Sequence, residues 1–135
     1  MAPFKRLALF LKIIAPIFLL VSAAHLLLGP GADNLLGAKI PAPVLADPVL
    51  DSQNRFYGVV FGLYGALFYL CSTNLQKYAS VFSLTLLFFF AGGLARLVSI
   101  FQVGMPSGLV IMLLLTELLL PVILHLWRRR VAGQA

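Results

Sequence analysis

The chain has 135 residues, of which 61% are hydrophobic and only 10% charged, with a mean hydropathy of +1.03. This composition excludes an ordinary soluble domain and describes one integral membrane domain, packed helix against helix inside the bilayer. The net charge of +6 does not point to nucleic acid, because Lys5, Arg6, Lys12, Lys77 and Arg128 to Arg130 each sit beside a hydrophobic run and not on one solvated patch.

In chain order, four stretches approach the roughly 20 apolar residues a spanning helix needs: about 7–28, 52–71, 78–101 and 107–127. They predict an all-α, four-helix transmembrane bundle occupying residues 1–135 as a single domain. The N-terminal run, with basic residues ahead of it and "SAA" at Ser22 to Ala24, also has features of a cleavable signal peptide. Its continuation through "HLLL" makes it long enough to span, and we read it as the first helix. Between the first two runs, residues 29–51 form a Gly- and Pro-rich loop with Asp33, Asp47 and Asp51. The connections "STNLQK" and "QVGMP" are short and force antiparallel neighbours.

Orientation follows from the basic residues. Both termini and the second connection carry Lys or Arg, the third connection carries no charge and the first only Lys39, so both termini are expected in the cytoplasm. Trp127, followed by three arginines, reads as an interfacial anchor and topology signal. Cys71 is the single cysteine, which rules out an internal disulfide.

Polarity inside the apolar runs is the informative feature. Along the second run, positions three or four apart place Asp51, Arg55, Gly58, Gly62, Gly65 and Tyr69 on one stripe. The Gly58–Gly62 pair has GxxxG spacing, which lets a neighbouring backbone approach closely. Gly58, Gly62 and Gly65 are helix-packing candidates, as is Gly92 on the third run, which shares a face with Arg96 and Ser99, and on the fourth Glu117 lies deep in the span. His25 and Ser22 end the first run on a common face. An isolated charge in a bilayer costs about 2.5–3.5 kcal/mol on insertion scales. Pairing is therefore expected, Glu117 with Arg96 and Asp51 with Arg55 as a local i,i+4 pair.

These residues predict one shared polar pocket in the outer half of the bundle, roofed by the first loop. The functional expectation is a non-catalytic protein binding a lipid-like or small anionic molecule. Arg55 and Arg96 would hold the anion, since each presents a planar fork of donors. Glu117 would orient Arg96, while Asp51, Asn54 and His25 would complete the site. The alternatives are a structural or accessory subunit of a membrane complex, a dimeric proton-coupled transporter using Glu117, and an enzyme. For the last, no phosphate loop, nucleophile–base spacing or metal cluster is legible, and His25 and His125 sit at opposite ends of their spans. No cofactor or metal is expected. Membrane lipids are the expected partners, with a homodimer or a second membrane protein open.

The segments "DSQNRFYGVVFGLYGALFYL", "GGLARLVSIFQVGMPSGL" and "TELLLP" resemble those of the small bacterial membrane proteins grouped as domain of unknown function 4345. The resemblance covers most of residues 51–127. It implies a four-span inner-membrane protein and recurrent polar positions at Asp51, Asn54, Arg55, Arg96 and Glu117, without implying an activity. A looser likeness to sterol-isomerase-like and sigma-receptor-like membrane domains is an analogy of fold.

Overall fold

The computed structural model describes residues 4–133. Its elements in order are α1 (Phe4–Leu28), α2 (Gly31–Leu35), α3 (Ala42–Leu45), α4 (Pro48–Thr73), α5 (Ala79–Val103) and α6 (Gly108–Ala132), with no strand among the described residues. The four long helices, α1, α4, α5 and α6, are each long and apolar enough to cross a membrane. The protein is a multi-pass, all-α transmembrane bundle.

Local chemistry sets the helix ends. Gly29 stops α1 with a left-handed backbone, φ +55°, a conformation that glycine adopts without steric cost. Asp47 starts α4 by accepting from the N–H groups of Val49 and Leu50, both at 2.9 Å, with Pro48 in the first turn. As a result, "DSQNR" is helical and lies inside α4, one turn earlier than the apolar run alone marks. The expected outer loop is likewise not structureless, since α2 and α3 fall within residues 29–51. Gly104, φ +112°, ends α5.

The helices form a ring in which α1 packs on α4, α4 on α5, α5 on α6 and α6 on α1. The most extensive interfaces are α1 with α4 and α5 with α6, so the bundle is two antiparallel pairs joined side by side. Glycines make the first pair close. A side chain at Gly62 would meet Ser22 Oγ at 2.5 Å, and one at Gly65 would meet the Ala15 carbonyl at 2.7 Å. Gly58 would run into His25. In the second pair the corresponding contact is at Gly93, where a Cβ would stand 2.7 Å from Leu118 Cδ2.

The buried apolar core occupies the half of the bundle nearer the start of α1 and the end of α6. Leu7, Leu11, Ala15 and Phe18 of α1 meet Phe68 and Cys71 of α4, Phe82, Leu86 and Phe89 of α5, and Leu124 of α6. Phe18 is its hub, with ring centroids 5.5 Å from those of both Phe68 and Phe89. Such aromatic pairs contribute about 0.5–1.5 kcal/mol each beyond area burial. The perimeter is apolar and exposed, as at Leu20, Leu27 and Phe101, which suits a surface facing lipid tails. The other half, beside the first loop, holds the ion pairs Asp51 with Arg55 and Arg96 with Glu117.

Candidate functional site

Two separate polar clusters occupy the loop half. The first joins α1, α2 and α4. Arg55 donates from Nε to Asp51 Oδ2 at 2.7 Å and from Nη2 to Asp51 Oδ1 at 3.0 Å. Its Nη1 donates to the Leu26 carbonyl at 2.6 Å. Leu26 lies in the last turn of α1, where carbonyls lack helical donors and carry the negative end of the helix dipole, so Arg55 acts as a cap for α1. Gly29 lies under this pair, because a Cβ there would collide with Asp51 and come within 3.2 Å of Arg55 Nη2.

Asp33 of α2 is the residue that sequence reasoning left out of the site. Its Oδ1 lies 3.1 Å from His25 Nε2, and its Oδ2 accepts from Asn54 Nδ2 at 3.2 Å. His25 Nδ1 is 2.8 Å from the Val21 carbonyl, so both ring nitrogens face oxygen. The acidic, Gly- and Pro-rich composition of "GPGADN" was the available signal. Only the fold of the loop over the helix ends brings Asp33 to His25 and Asn54. Asn54 Oδ1 is buried and has no donor among the described residues.

The second cluster lies between α5 and α6. Arg96 Nε donates to Glu117 Oε2 at 2.7 Å and Nη2 donates to Oε1 at 3.1 Å, a two-pronged pair of the kind that fixes a guanidinium plane. The Glu117 side chain is 7% exposed and that of Arg96 34%. Glu117 is nine residues into α6, hence about 13 to 14 Å from its start, and Arg96 seven residues from the end of α5, about 10 Å. Pro121 sits four residues after Glu117 inside an unbroken α6, so the Glu117 carbonyl lacks its usual helical donor. Beside the pair, Gly92 is exposed and a Cβ on it would stand 4.0 Å from the Glu117 carboxylate.

The structure therefore forms both expected ion pairs, Asp51 with Arg55 and Arg96 with Glu117. It differs from the expected arrangement in four respects. The six polar residues fall into two clusters, and no hydrogen bond or ion pair joins these among the described residues. Each arginine is matched by the carboxylate nearest on its own helix or its hairpin partner, because charges in a medium of low dielectric pair at contact distance. Arg55, expected to receive an anion, has all three guanidinium nitrogens donating to protein oxygens. The packing contact expected at Gly92 is made by Gly93, one position further round the helix. Gly58, Gly62 and Gly65 are buried at the α1 interface, whereas Tyr69, on the same predicted stripe, is exposed and Phe68 takes the inward position. Among the described residues no group of His, Cys, Asp and Glu side chains could hold a metal ion.

Comparison with protein families matches residues 7–128 to the family described as Domain of unknown function (DUF4345). The chain belongs to this family. Neither the curated proteins nor the solved structures contain a match to it. For this DUF4345 protein, membership agrees with the four apolar helices and brings no reaction with it.

Proposed function

We propose that the protein is a non-catalytic, multi-pass protein of a bacterial inner membrane that binds a lipid-like or small anionic molecule in the loop half of the bundle. In this reading both termini are cytoplasmic, as the flanking Lys and Arg residues favour, and the first loop faces outward. The observation that carries it is Arg96. Glu117 holds two of its guanidinium nitrogens, while Nη1 has no acceptor among the described residues and about a third of the side chain, 34%, is exposed. A cationic donor some 10 Å inside a spanning helix requires an acceptor, and an anionic headgroup or carboxylate supplies one. The exposed Gly92 leaves space beside it, and the unpartnered Asn54 Oδ1 offers a separate acceptor near the loop.

A structural reading is favoured by a different observation. Both oxygens of the buried Glu117 are engaged by a residue of the neighbouring helix, so the pair also clamps α5 to α6. Native mass spectrometry of protein extracted gently from its own membrane separates the two. Binding predicts a discrete adduct on the wild type that is lost in Arg96→Gln while the helical signal is retained. A clamp alone predicts no specific adduct on the wild type, while some loss of stability in Arg96→Gln and Glu117→Gln follows from the broken pair under either reading.

A further inference from the structure

At the opposite end of the bundle, Ala79, Ser80, Ser83, Leu84 and Leu87 of α5 and Arg128 of α6 line an open groove of about 460 Å³. Spacings of three and four residues set the α5 members on one stripe. Ser80 and Ser83 lie in the first turns of α5 and Arg128 in the last turns of α6, whereas Leu84 and Leu87 lie progressively deeper along the span. These leucines are 55% and 62% exposed. The groove is thus graded from polar at the membrane boundary to aliphatic within it.

Arg128 Nε is buried there and has no acceptor among the described residues. A buried charged donor without an acceptor is costly, and such atoms in folded proteins are ordinarily engaged. Ser83 Oγ donates to the Ala79 carbonyl at 3.0 Å, which leaves the Ser80 hydroxyl as the second donor. Tyr78, at the N-cap of α5, provides no side-chain cap, so the partial positive charge of the first-turn N–H groups lies at the same end.

We infer that this groove binds an anionic phospholipid. Its phosphate accepts from the Arg128 guanidinium and Ser80, and the first carbons of its chains lie along Leu84 and Leu87. Charge complementarity and the polar-to-apolar gradient along the membrane normal select a lipid over a soluble anion or a protein segment. The site shares no residue with the Arg96 cluster and stands or falls independently of it.

The test is native mass spectrometry of the full chain in detergent, titrated with phosphatidylglycerol, with phosphatidylcholine of the same chains, and with inorganic phosphate. The wild type is expected to retain phosphatidylglycerol about fivefold better than phosphatidylcholine, the effect of one basic residue near an anionic surface. Arg128→Gln should abolish that preference and Arg129→Gln should preserve it. Ser83→Leu, which fills the groove and leaves every charge in place, should lower retention by a similar factor and decides the matter if Arg128→Gln misfolds. Equal retention of the two lipids by the wild type overturns the proposal. So does an equal loss in the two arginine variants, which would mark a diffuse cationic belt, or displacement of the lipid by inorganic phosphate, which would mark a soluble-anion site.

Discussion

The two charged clusters differ in how their charges are balanced. Around α1, α2 and α4, two hydrogen-bonded sets lie near the loop, Arg55 with Asp51 and the Leu26 carbonyl and Asp33 with His25 and Asn54, and Asp51 and Arg55 are each about one-third exposed, 34% and 37%. Between α5 and α6, one carboxylate and one guanidinium have no partner but each other among the described residues, and the carboxylate is 7% exposed. A network near water tolerates the loss of a member, because solvent replaces it. A lone buried pair does not, because removing either partner leaves the other charged with nothing to meet it.

The largest expected effect is accordingly at Glu117. Glu117→Gln should destabilise the bundle by about 3 kcal/mol, the lower end for a broken buried pair because Arg96 is partly exposed. The Arg96→Met/Glu117→Met double substitution should recover most of that loss. Unfolding followed by circular dichroism in detergent checks both, and equal stability of Glu117→Gln and wild type would make the two clusters equivalent. Next comes the glycine contact that seats α1 on α4. Gly65→Ala places a Cβ 2.7 Å from a backbone carbonyl that cannot rotate away, and should cost roughly 1–3 kcal/mol by forcing α1 off α4. Gly104→Ala, with nothing within 4 Å of its Cβ but a positive φ, separates backbone strain from crowding in the same assay.

A smaller effect is expected at Asp33. Asp33→Asn weakens its bonds to His25 and Asn54 at about 1.5 kcal/mol for a charged hydrogen bond, and should show as faster proteolysis within residues 29–47 with little change in global unfolding. Arg55→Gln should have the smallest effect on stability, since solvent can screen Asp51 and hydrate the end of α1. A large loss there, with a small one at Glu117, would reverse the contrast between the clusters.

Much of this architecture is legible in the sequence. Four apolar runs and short second and third connections predicted the spans and their antiparallel order. The i,i+4 spacing of Asp51 and Arg55 predicted their pair, and the depth of Arg96 and Glu117 in adjacent helices predicted theirs. What escaped was the partition of the polar residues. Sequence reasoning placed them at similar depth and joined them into one pocket, but depth along a helix says nothing of azimuth around it. Gly92 and Gly93 illustrate the limit: one step of 100° separates an exposed position from a packed one.

Composition and periodicity by themselves determined the environment and the element type, because bilayer thickness and backbone hydrogen bonding leave few solutions for a chain this apolar. Local spacing determined the pair that lies within one helix. Only the tertiary structure decided that α1 packs most extensively on α4, that Asp33 folds back from the loop to His25 and Asn54, and that Arg55 caps α1. It also decided that Arg128 of α6 lies beside the serines that begin α5. Those outcomes depend on which helix faces meet across space, and a contact between residues distant in sequence is set by the packing of whole elements and not by the spacing within any one of them.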